Sequence, residues 1–176
     1  MENIIKCKIF KFEDNINTDI IISGKYLRTE DTNIFKEHAF EVLRGDNFYK
    51  QINKGDVIFA KRNFGCGSSR EQAALAVKEL GVSMLIAKSF GRIFYRNIIN
   101  LGLPAYILKE NSQLDELIDK IEENDNITVF PDKGELVIES KNIHLEFYKI
   151  TGIAKNIIEA GGLLNYAKKE LSNNSM

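Results

Sequence analysis

Cysteine and histidine are scarce in this chain of 176 residues, which has two of each and no tryptophan. Cys7 and Cys66 lie far apart without partner spacing, which indicates free thiols in a reducing compartment. Two thiols cannot by themselves ligate an iron–sulfur cluster or a structural zinc ion. With only His38 and His144, the chain has neither an HExxH pattern nor a Ser-His-Asp order. These shortages exclude chemistry carried by a metal that this chain binds alone.

An excess of charge of one sign and long apolar runs are also lacking. The formal net charge is −1, so no global field attracts nucleic acid or an anionic membrane, and any anion site has to be local. Lysines interrupt the N-terminal segment MENIIKCKIFKFEDN, which therefore lacks a signal-peptide core. No apolar run approaches the length of a membrane span. We therefore expect a cytoplasmic protein that binds neither nucleic acid nor membrane.

The order of the apolar segments predicts an α/β fold. Alternation of apolar residues and lysines over residues 4–12 predicts a half-buried strand. Strands and helices then alternate, at residues 57–60, 69–80, 83–87, 92–101 and 104–108. This rhythm argues for parallel strands joined by right-handed crossovers.

The remaining segments predict additional helices and a part rich in β-structure. The stretch FKEHAFEVL, residues 35–43, predicts one helix with an apolar face. The segments expected after the alternating part are a helix at 112–123, the strands ITVF, ELVIE and IHLEFY, and helices at 151–160 and 163–171. We predict one domain over residues 1–170 with the β-rich part attached, and a frayed tail at 171–176.

The loop NFGCGSSREQAA, residues 63–74, crowds two glycines, two serines and an arginine before a run of helix formers. Ser68 with Glu71, or Ser69 with Gln72, would form a capping box, which explains one serine and one acidic or amide residue. A capping box does not explain Arg70, whose positive charge in the first turn would oppose the helix dipole. This opposition would be relieved if Arg70 and the free N–H groups of the turn bound one anion together. Anion binding by the loop is therefore favoured over capping alone. The chain has neither the GxxxxGK[ST] nor the GxGxxG pattern of nucleotide sites.

The segments NFGCGSSREQAALAVKELGV and SFGRIFYRNIINLGLP closely resemble the small subunit of the isopropylmalate dehydratase and homoaconitase family. The segment FKFEDNINTDIIISGKYL and the GGL near Gly161 resemble the beginning and the end of the same family. The resemblance spans nearly the whole chain. It implies an aconitase-like swivel domain with layered β/β/α architecture, and a lyase that reversibly dehydrates and rehydrates its substrate.

The resemblance also implies a partner. In this family the swivel domain docks on a separate large subunit, which holds a 4Fe-4S cluster, as a heterodimer or heterotetramer, and the substrate lies between the two chains. The cluster acts as a Lewis acid on the leaving hydroxyl, and a base removes a proton next to a carboxylate. This chain itself is expected to bind no cofactor. The substrate is expected to be a small di- or tricarboxylate.

The site residues follow from the same resemblance. Ser68 is implied to be the base, acting as an alkoxide that the helix N-terminus, bare glycine N–H groups and a guanidinium would stabilise. Ser69, Arg70 and Gly67 are implied to bind a substrate carboxylate, which a guanidinium grips through two bonds. Four further residues are interpreted as support for the loop: Gly65, Cys66, Asn63 and Asp19. Aconitase has histidine where this chain has Gln72, and we interpret Gln72 as a cap or support residue.

The substrate question depends on the segment Tyr26-Leu27-Arg28-Thr29. In the family this loop contacts the variable end of the substrate, which is a branched alkyl group in isopropylmalate and a carboxylate in homoaconitate. Arg28 favours the carboxylate, because an unpaired arginine against an alkyl group costs roughly 1–3 kcal/mol. Arg28 could instead extend to the surface or contact the partner subunit. Because leucine-pathway enzymes are the commoner members, we predict an isopropylmalate dehydratase first and a homoaconitase second.

The loop also suits a function outside this enzyme class. A stand-alone anion-binding regulatory module would use the same helix N-terminus without a large subunit. A nucleotide-binding α/β protein is disfavoured by the missing phosphate motifs. Outside the loop, Phe90, Phe94, Tyr95 and Ile98 are expected in the core, and Lys88, Arg92 and Arg96 on the surface or at a subunit contact.

Overall fold

A computed structural model describes residues 4–173 of the chain. The strands of this part are β1 Ile5–Phe12, β2 Val57–Ala60, β3 Met84–Ala87, β4 Ala105–Ile107, β5 Asn126–Phe130, β6 Glu135–Ile138 and β7 Ile143–Glu146. Its α-helices are α1 Thr18–Ile21, α2 Thr32–Glu37, α3 Glu41–Arg44, α4 Glu71–Glu79, α5 Arg92–Asn100, α6 Leu114–Asp119, α7 Gly152–Glu159 and α8 Leu163–Asn173. Short 3-10 turns lie at Gly24–Tyr26, Phe48–Gln51 and Glu139–Lys141. The α/β fold predicted from the sequence is confirmed.

The strands form one mixed sheet in the order β4-β3-β2-β1-β5-β6-β7. Strands β1 to β4 pair in parallel, whereas β5, β6 and β7 pair antiparallel. Strand β1 joins the two halves, because its residues 9–12 pair with β2 and its residues 5–8 pair with β5. The β-rich part is therefore the antiparallel half of the same sheet, which continues through β1.

The parallel half of the sheet is buried on both faces, as is usual where helices or loops cover each side. Phe10, Phe12 and Ile58 belong to a core on the face that α1, α4 and α5 cover. Ile9 and Phe59 belong to a second core on the opposite face, which includes α6 and strands β5 to β7. The alternation along β1 and β2 therefore sends successive side chains to different cores.

The single helix expected over residues 35–43 is wrong, because the chain breaks at Phe40. Phe40 has a left-handed backbone, with φ of 58°, and separates α2 from α3. Its side chain is fully buried, and its ring centroid lies 4.4 Å from that of Phe12. The amide of Phe40 donates to the carbonyl of Ile21 at 2.8 Å. Burial of the aromatic ring and this bond hold a conformation that a phenylalanine rarely adopts.

Helices α6 and α8 differ in their bounds from the helices that the sequence predicts. Helix α6 is shorter than expected, Leu114–Asp119, although Leu114, Ile118 and Ile121 are buried as the apolar pattern predicts. Helix α8 continues through residues 171–173, and residues 174–176 of the expected frayed tail lie outside the described residues. Within residues 4–173, no helix has both the length and the hydrophobicity to cross a bilayer.

Candidate active site

The carboxyl ends of β1, β2 and β3 meet at one edge of the sheet, because these strands are parallel neighbours. The glycine and serine loop, residues 63–70, follows β2 at this edge. The amide of Gly65 donates to the carbonyl of Ile16 at 2.7 Å, and the amide of Thr18 donates to the carbonyl of Cys66 at 2.9 Å. These bonds fix the loop to the segment that follows β1.

Asn63 connects the start of the loop to both neighbouring segments. Its backbone amide donates to the hydroxyl of Ser89 at 2.8 Å, and its side-chain amide donates to the side-chain oxygen of Asn15 at 2.8 Å. Asn63 has a φ of 61°, a region in which asparagine is more common than most residues. The contacts of Asn63 suit the loop-support role predicted for it.

The glycines of the loop allow close packing. Gly65 has a φ of +74°, and a Cβ atom added there would lie 2.2 Å from Cγ of Phe94. Gly67 has a φ of +95°, and a Cβ atom there would lie 3.4 Å from Oγ1 of Thr18. The amide of Gly65 already donates to Ile16, so of these two glycines only Gly67 has an N–H group without a backbone acceptor in residues 4–173.

Three consecutive backbone amides of the loop, those of Gly67, Ser68 and Ser69, donate to no carbonyl of residues 4–173. All three residues are exposed. Gly67 and Ser68 line a cleft of about 260 Å³, which Arg92 and Ile93 close on the side of α5. An exposed run of free N–H groups is a physical basis for binding an anion.

The capping box that the sequence indicates is not formed. Helix α4 begins at Glu71, and its N-cap residue is Arg70, which makes no side-chain capping bond. The Ser68 hydroxyl lies 3.2 Å from the hydroxyl of Thr18, which also donates to the carbonyl of Ser68 at 3.1 Å. Thr18 is only 2% exposed. The Ser68 hydroxyl is therefore held by a buried neighbour on α1 and is not used to stabilise its own helix.

Arg70 forms an ion pair with the carboxylate of Asp19. Asp19 lies on α1, whose N-cap residue Asn17 accepts a hydrogen bond from the amide of Ile20 at 2.9 Å. The side chain of Arg70 is 24% exposed and that of Asp19 is 60% exposed. The Asp19 carboxylate thus already compensates the charge of Arg70. This pair weakens the sequence-based argument that Arg70 requires a bound anion from outside the chain. Its other nitrogens have no hydrogen-bond partner within residues 4–173.

Arg28 follows the 3-10 turn Gly24–Tyr26, which lies beside Arg70. A Cβ atom added at Gly24 would lie 4.0 Å from Nη1 of Arg70. The structure therefore brings the segment that carries Arg28 next to Arg70. Arg28 is exposed, and its guanidinium has no ion-pair partner among residues 4–173.

Glu41 contacts the segment before Arg28, and nothing in the sequence indicates it. Its carboxylate accepts from the hydroxyl of Tyr26 at 2.7 Å and from the ammonium of Lys25 at 3.1 Å. The ring of His38 stacks on the ring of Tyr26, with centroids 3.9 Å apart, and its Nδ1 lies 2.8 Å from the same carboxylate. The hydrogen bond from Tyr26 lowers the pKa of Glu41, and burial raises the pKa of the Tyr26 hydroxyl.

Lys88 is buried, with 5% of the residue exposed, so the expectation that it lies on the surface is wrong. It comes directly after the buried strand β3, and its ammonium pairs with the carboxylate of Asp115 in the first turn of α6. Glu110 lies 3.9 Å away. The long side chain is covered along its stem while its charged end reaches exposed carboxylates. Phe94 and Ile98 are buried as expected, and Phe90 and Tyr95 are partly buried against the same core.

Within residues 4–173, no group of three or more His, Cys, Asp or Glu side chains is placed to hold a metal ion. Both cysteines are free and half-buried, Cys7 on β1 and Cys66 in the loop. Cys66 is thus less buried than a core residue, and its backbone is bonded to the segment of Asn17. The part of the chain that the structure describes therefore offers no set of thiolate ligands for an iron–sulfur cluster.

The parallel sheet, with the glycine and serine loop and its free amides at the carboxyl ends of the strands, defines an α/β domain with a candidate anion-binding site. The aconitase C-terminal domain family matches residues 4–110, and the chain belongs to this family. The chain is 45% identical over 166 residues to the methanogen homoaconitase small subunit of Methanocaldococcus jannaschii, covering 94% of this chain and 92% of that protein. It is 44% identical over 168 residues to the 3-isopropylmalate dehydratase small subunit of Caldicellulosiruptor saccharolyticus, covering 96% and 93%.

The fold agrees with that of a solved relative. The crystal structure of a 3-isopropylmalate dehydratase, LeuD, from Methanocaldococcus jannaschii superimposes with a TM-score of 0.88 at 44% identity, and 98% of each chain is covered. The resemblance inferred from the loop is therefore confirmed for both the family and the fold. The identities to the relatives of the two activities, 45% and 44%, differ too little to choose between them.

Proposed function

We propose that this chain is the small subunit of a 3-isopropylmalate dehydratase, a cytoplasmic hydro-lyase of leucine biosynthesis. The observation that carries the proposal is the composition of residues 67–70, where free amides and the Ser68 hydroxyl lie at a cleft and Arg70 follows them in the chain. Relatives 44% identical over nearly the whole chain carry the name of this small subunit.

In the proposed reaction Ser68 removes the proton next to a substrate carboxylate. The neighbouring free amides favour the alkoxide form, because their N–H groups place partial positive charge near the oxygen. Ser69 and the nitrogens of Arg70 that Asp19 does not occupy bind the carboxylate itself. An iron–sulfur cluster in the partner would supply Lewis-acid assistance to departure of the hydroxyl group.

The size of the cleft supports the need for a partner. At about 260 Å³ it is smaller than the roughly 300–1,000 Å³ of pockets that enclose small molecules. We therefore propose that a large subunit supplies the cluster and the other wall of the site, in a heterodimer or heterotetramer. The continuity of the seven-stranded sheet supports the proposal that residues 1–170 move as one swivel domain on that partner.

A homoaconitase small subunit is the second candidate, and Arg28 favours it. The exposed guanidinium has no ion-pair partner among residues 4–173 and belongs to a segment next to Arg70. It could therefore bind a carboxylate at the distal end of a tricarboxylic substrate. The similarity to the homoaconitase small subunit of Methanocaldococcus jannaschii also supports this alternative.

The deciding experiment compares the purified chain with the chain co-expressed with a large subunit from the same genome. Isopropylmalate and homoaconitate are supplied separately, and the specificity constant for each is measured. Activity that requires both chains is expected, and the larger specificity constant identifies the substrate. If the complex with its cluster loaded turned over neither substrate, while the chain alone bound small carboxylates, the regulatory module would become the better reading.

A further inference from the structure

Glu41 lies at the centre of a polar cluster beside the segment that carries Arg28. Its carboxylate is 20% exposed and receives the hydroxyl of Tyr26 at 2.7 Å, the ammonium of Lys25 at 3.1 Å and Nδ1 of His38 at 2.8 Å. Charge-assisted bonds of this kind are stronger than neutral ones. One carboxylate therefore holds two consecutive residues of the Gly24–Tyr26 turn.

The backbone places Glu41 in this position at a cost. Phe40, the preceding residue, adopts a φ of 58°, which is unusual for an aromatic residue. Its ring is fully buried and packs against the ring of Phe64, with centroids 6.2 Å apart. Phe64 precedes Gly65, so the same aromatic cluster packs against both the start of α3 and the glycine and serine loop. The packing of this cluster therefore fixes the position of Glu41 relative to the candidate active site.

We propose that Glu41 is a positioning residue, which holds the Gly24–Tyr26 turn and thereby sets the orientation of Arg28 toward the distal end of the substrate. This inference rests on the second candidate function, a homoaconitase small subunit, in which Arg28 binds a carboxylate at that end. Glu41 does not touch the substrate in this scheme. It acts through Lys25 and Tyr26 on a guanidinium two residues further along the chain.

The first test uses the chain alone and requires no activity. In the Gly24–Tyr26 turn, the amide of Tyr26 donates to the carbonyl of Ser23 at 3.0 Å and that of Leu27 to the carbonyl of Gly24 at 3.3 Å. Hydrogen exchange of these two amides is expected to accelerate about tenfold in Glu41→Gln, which removes the negative charge and keeps the size of the side chain. Unchanged exchange would overturn the proposal.

Two further variants make this test specific. Glu116→Gln removes an exposed carboxylate that pairs with Lys120 at 2.7 Å, and it should leave exchange in the turn unchanged. Tyr26→Phe removes only the hydroxyl and keeps the aromatic ring against His38, so it should accelerate exchange even if Glu41→Gln folds poorly. Equal exchange in Tyr26→Phe and the wild type would contradict the proposed role of the Glu41 contact.

The second test measures specificity in the complex with a large subunit. Glu41→Gln is expected to raise KM for homoaconitate at least about fivefold, to change kcat less, and to leave KM for isopropylmalate nearly unchanged. When Arg28 is already replaced by valine, adding Glu41→Gln should change KM for homoaconitate little further, because Glu41 acts through Arg28. Fully additive effects would overturn the inference. Inactivity of the wild-type complex toward homoaconitate would overturn the specificity role, and inactivity toward both substrates would also overturn the proposed function. In either case the exchange experiment would still decide whether Glu41 holds the turn.

Discussion

Replacing Ser68 with alanine separates the proposed chemistry from the stability of the loop, because the hydroxyl makes few contacts within the chain. Its oxygen lies 3.2 Å from the hydroxyl of Thr18, and Ser68 is exposed. Thr18 keeps its bond to the carbonyl of Ser68 at 3.1 Å, so the buried hydroxyl is not left unsatisfied in the variant. No helix cap is lost, since Arg70 is the N-cap residue of α4.

The two expected magnitudes differ widely. Loss of one exposed neutral hydrogen bond should lower the free energy of unfolding by about 0.5 kcal/mol, the low end of the usual range. Loss of the base should lower kcat by about 10²–10⁴, which corresponds to about 3–5 kcal/mol in the activation barrier. We therefore expect Ser68→Ala to fold and to bind its partner while losing nearly all turnover.

The assay combines denaturant unfolding of the chain alone with steady-state kinetics of the assembled complex at equal cluster content. Thr18→Val serves as the matched control, because it removes the same contact from the other side and keeps the Ser68 hydroxyl. The control is expected to lose stability but to remain within about tenfold of wild-type turnover. A Ser68→Ala complex with turnover like that of the control would assign the base to another residue.

Three further predictions concern other residues. Arg70→Lys should lower kcat/KM about a hundredfold, because a lysine ammonium cannot both pair with Asp19 and bind a substrate carboxylate through two hydrogen bonds. Unchanged kinetics would contradict the proposed role of Arg70 in carboxylate binding. Gly65→Ala should lower the free energy of unfolding by roughly 2–5 kcal/mol, since a Cβ atom would lie 2.2 Å from the Phe94 ring. Gly45→Ala, with a similar φ of +78° and nothing within 4 Å, is its control and should cost about 1 kcal/mol, so equal losses would refute the clash. Burial, and to a lesser degree Asp56, raises the pKa of Cys7 from 9.0 to about 12. In a Cys66→Ala background, iodoacetamide should therefore label Cys7 of the folded chain at pH 8 roughly a thousandfold more slowly than Cys7 of the urea-unfolded chain. The labelling rate of the folded chain should rise toward pH 12. Similar rates in the folded and unfolded chain would contradict the burial of this thiol.

The local sequence determined most of the regular structure and the location of the candidate site. Period-two alternation and short buried runs gave β1 to β7 within one or two residues, because burial of one face imposes that period directly. The sequence also predicted a loop rich in glycine and serine between β2 and α4, and the structure has this loop there. The resemblance of this loop and of the segment SFGRIFYRNIINLGLP was enough to identify the family.

Only the tertiary structure decided which polar groups meet. Arg70 pairs with Asp19, 51 residues away, and Glu41 accepts from Tyr26, 15 residues away, because separate segments come together around the ends of parallel strands. Apolar periodicity reports which side of an element is buried, but it contains no information about the partner of a polar side chain. The break at Phe40 was missed for a related reason, since burial of its ring among other aromatic side chains outweighs the helical preference of the surrounding residues.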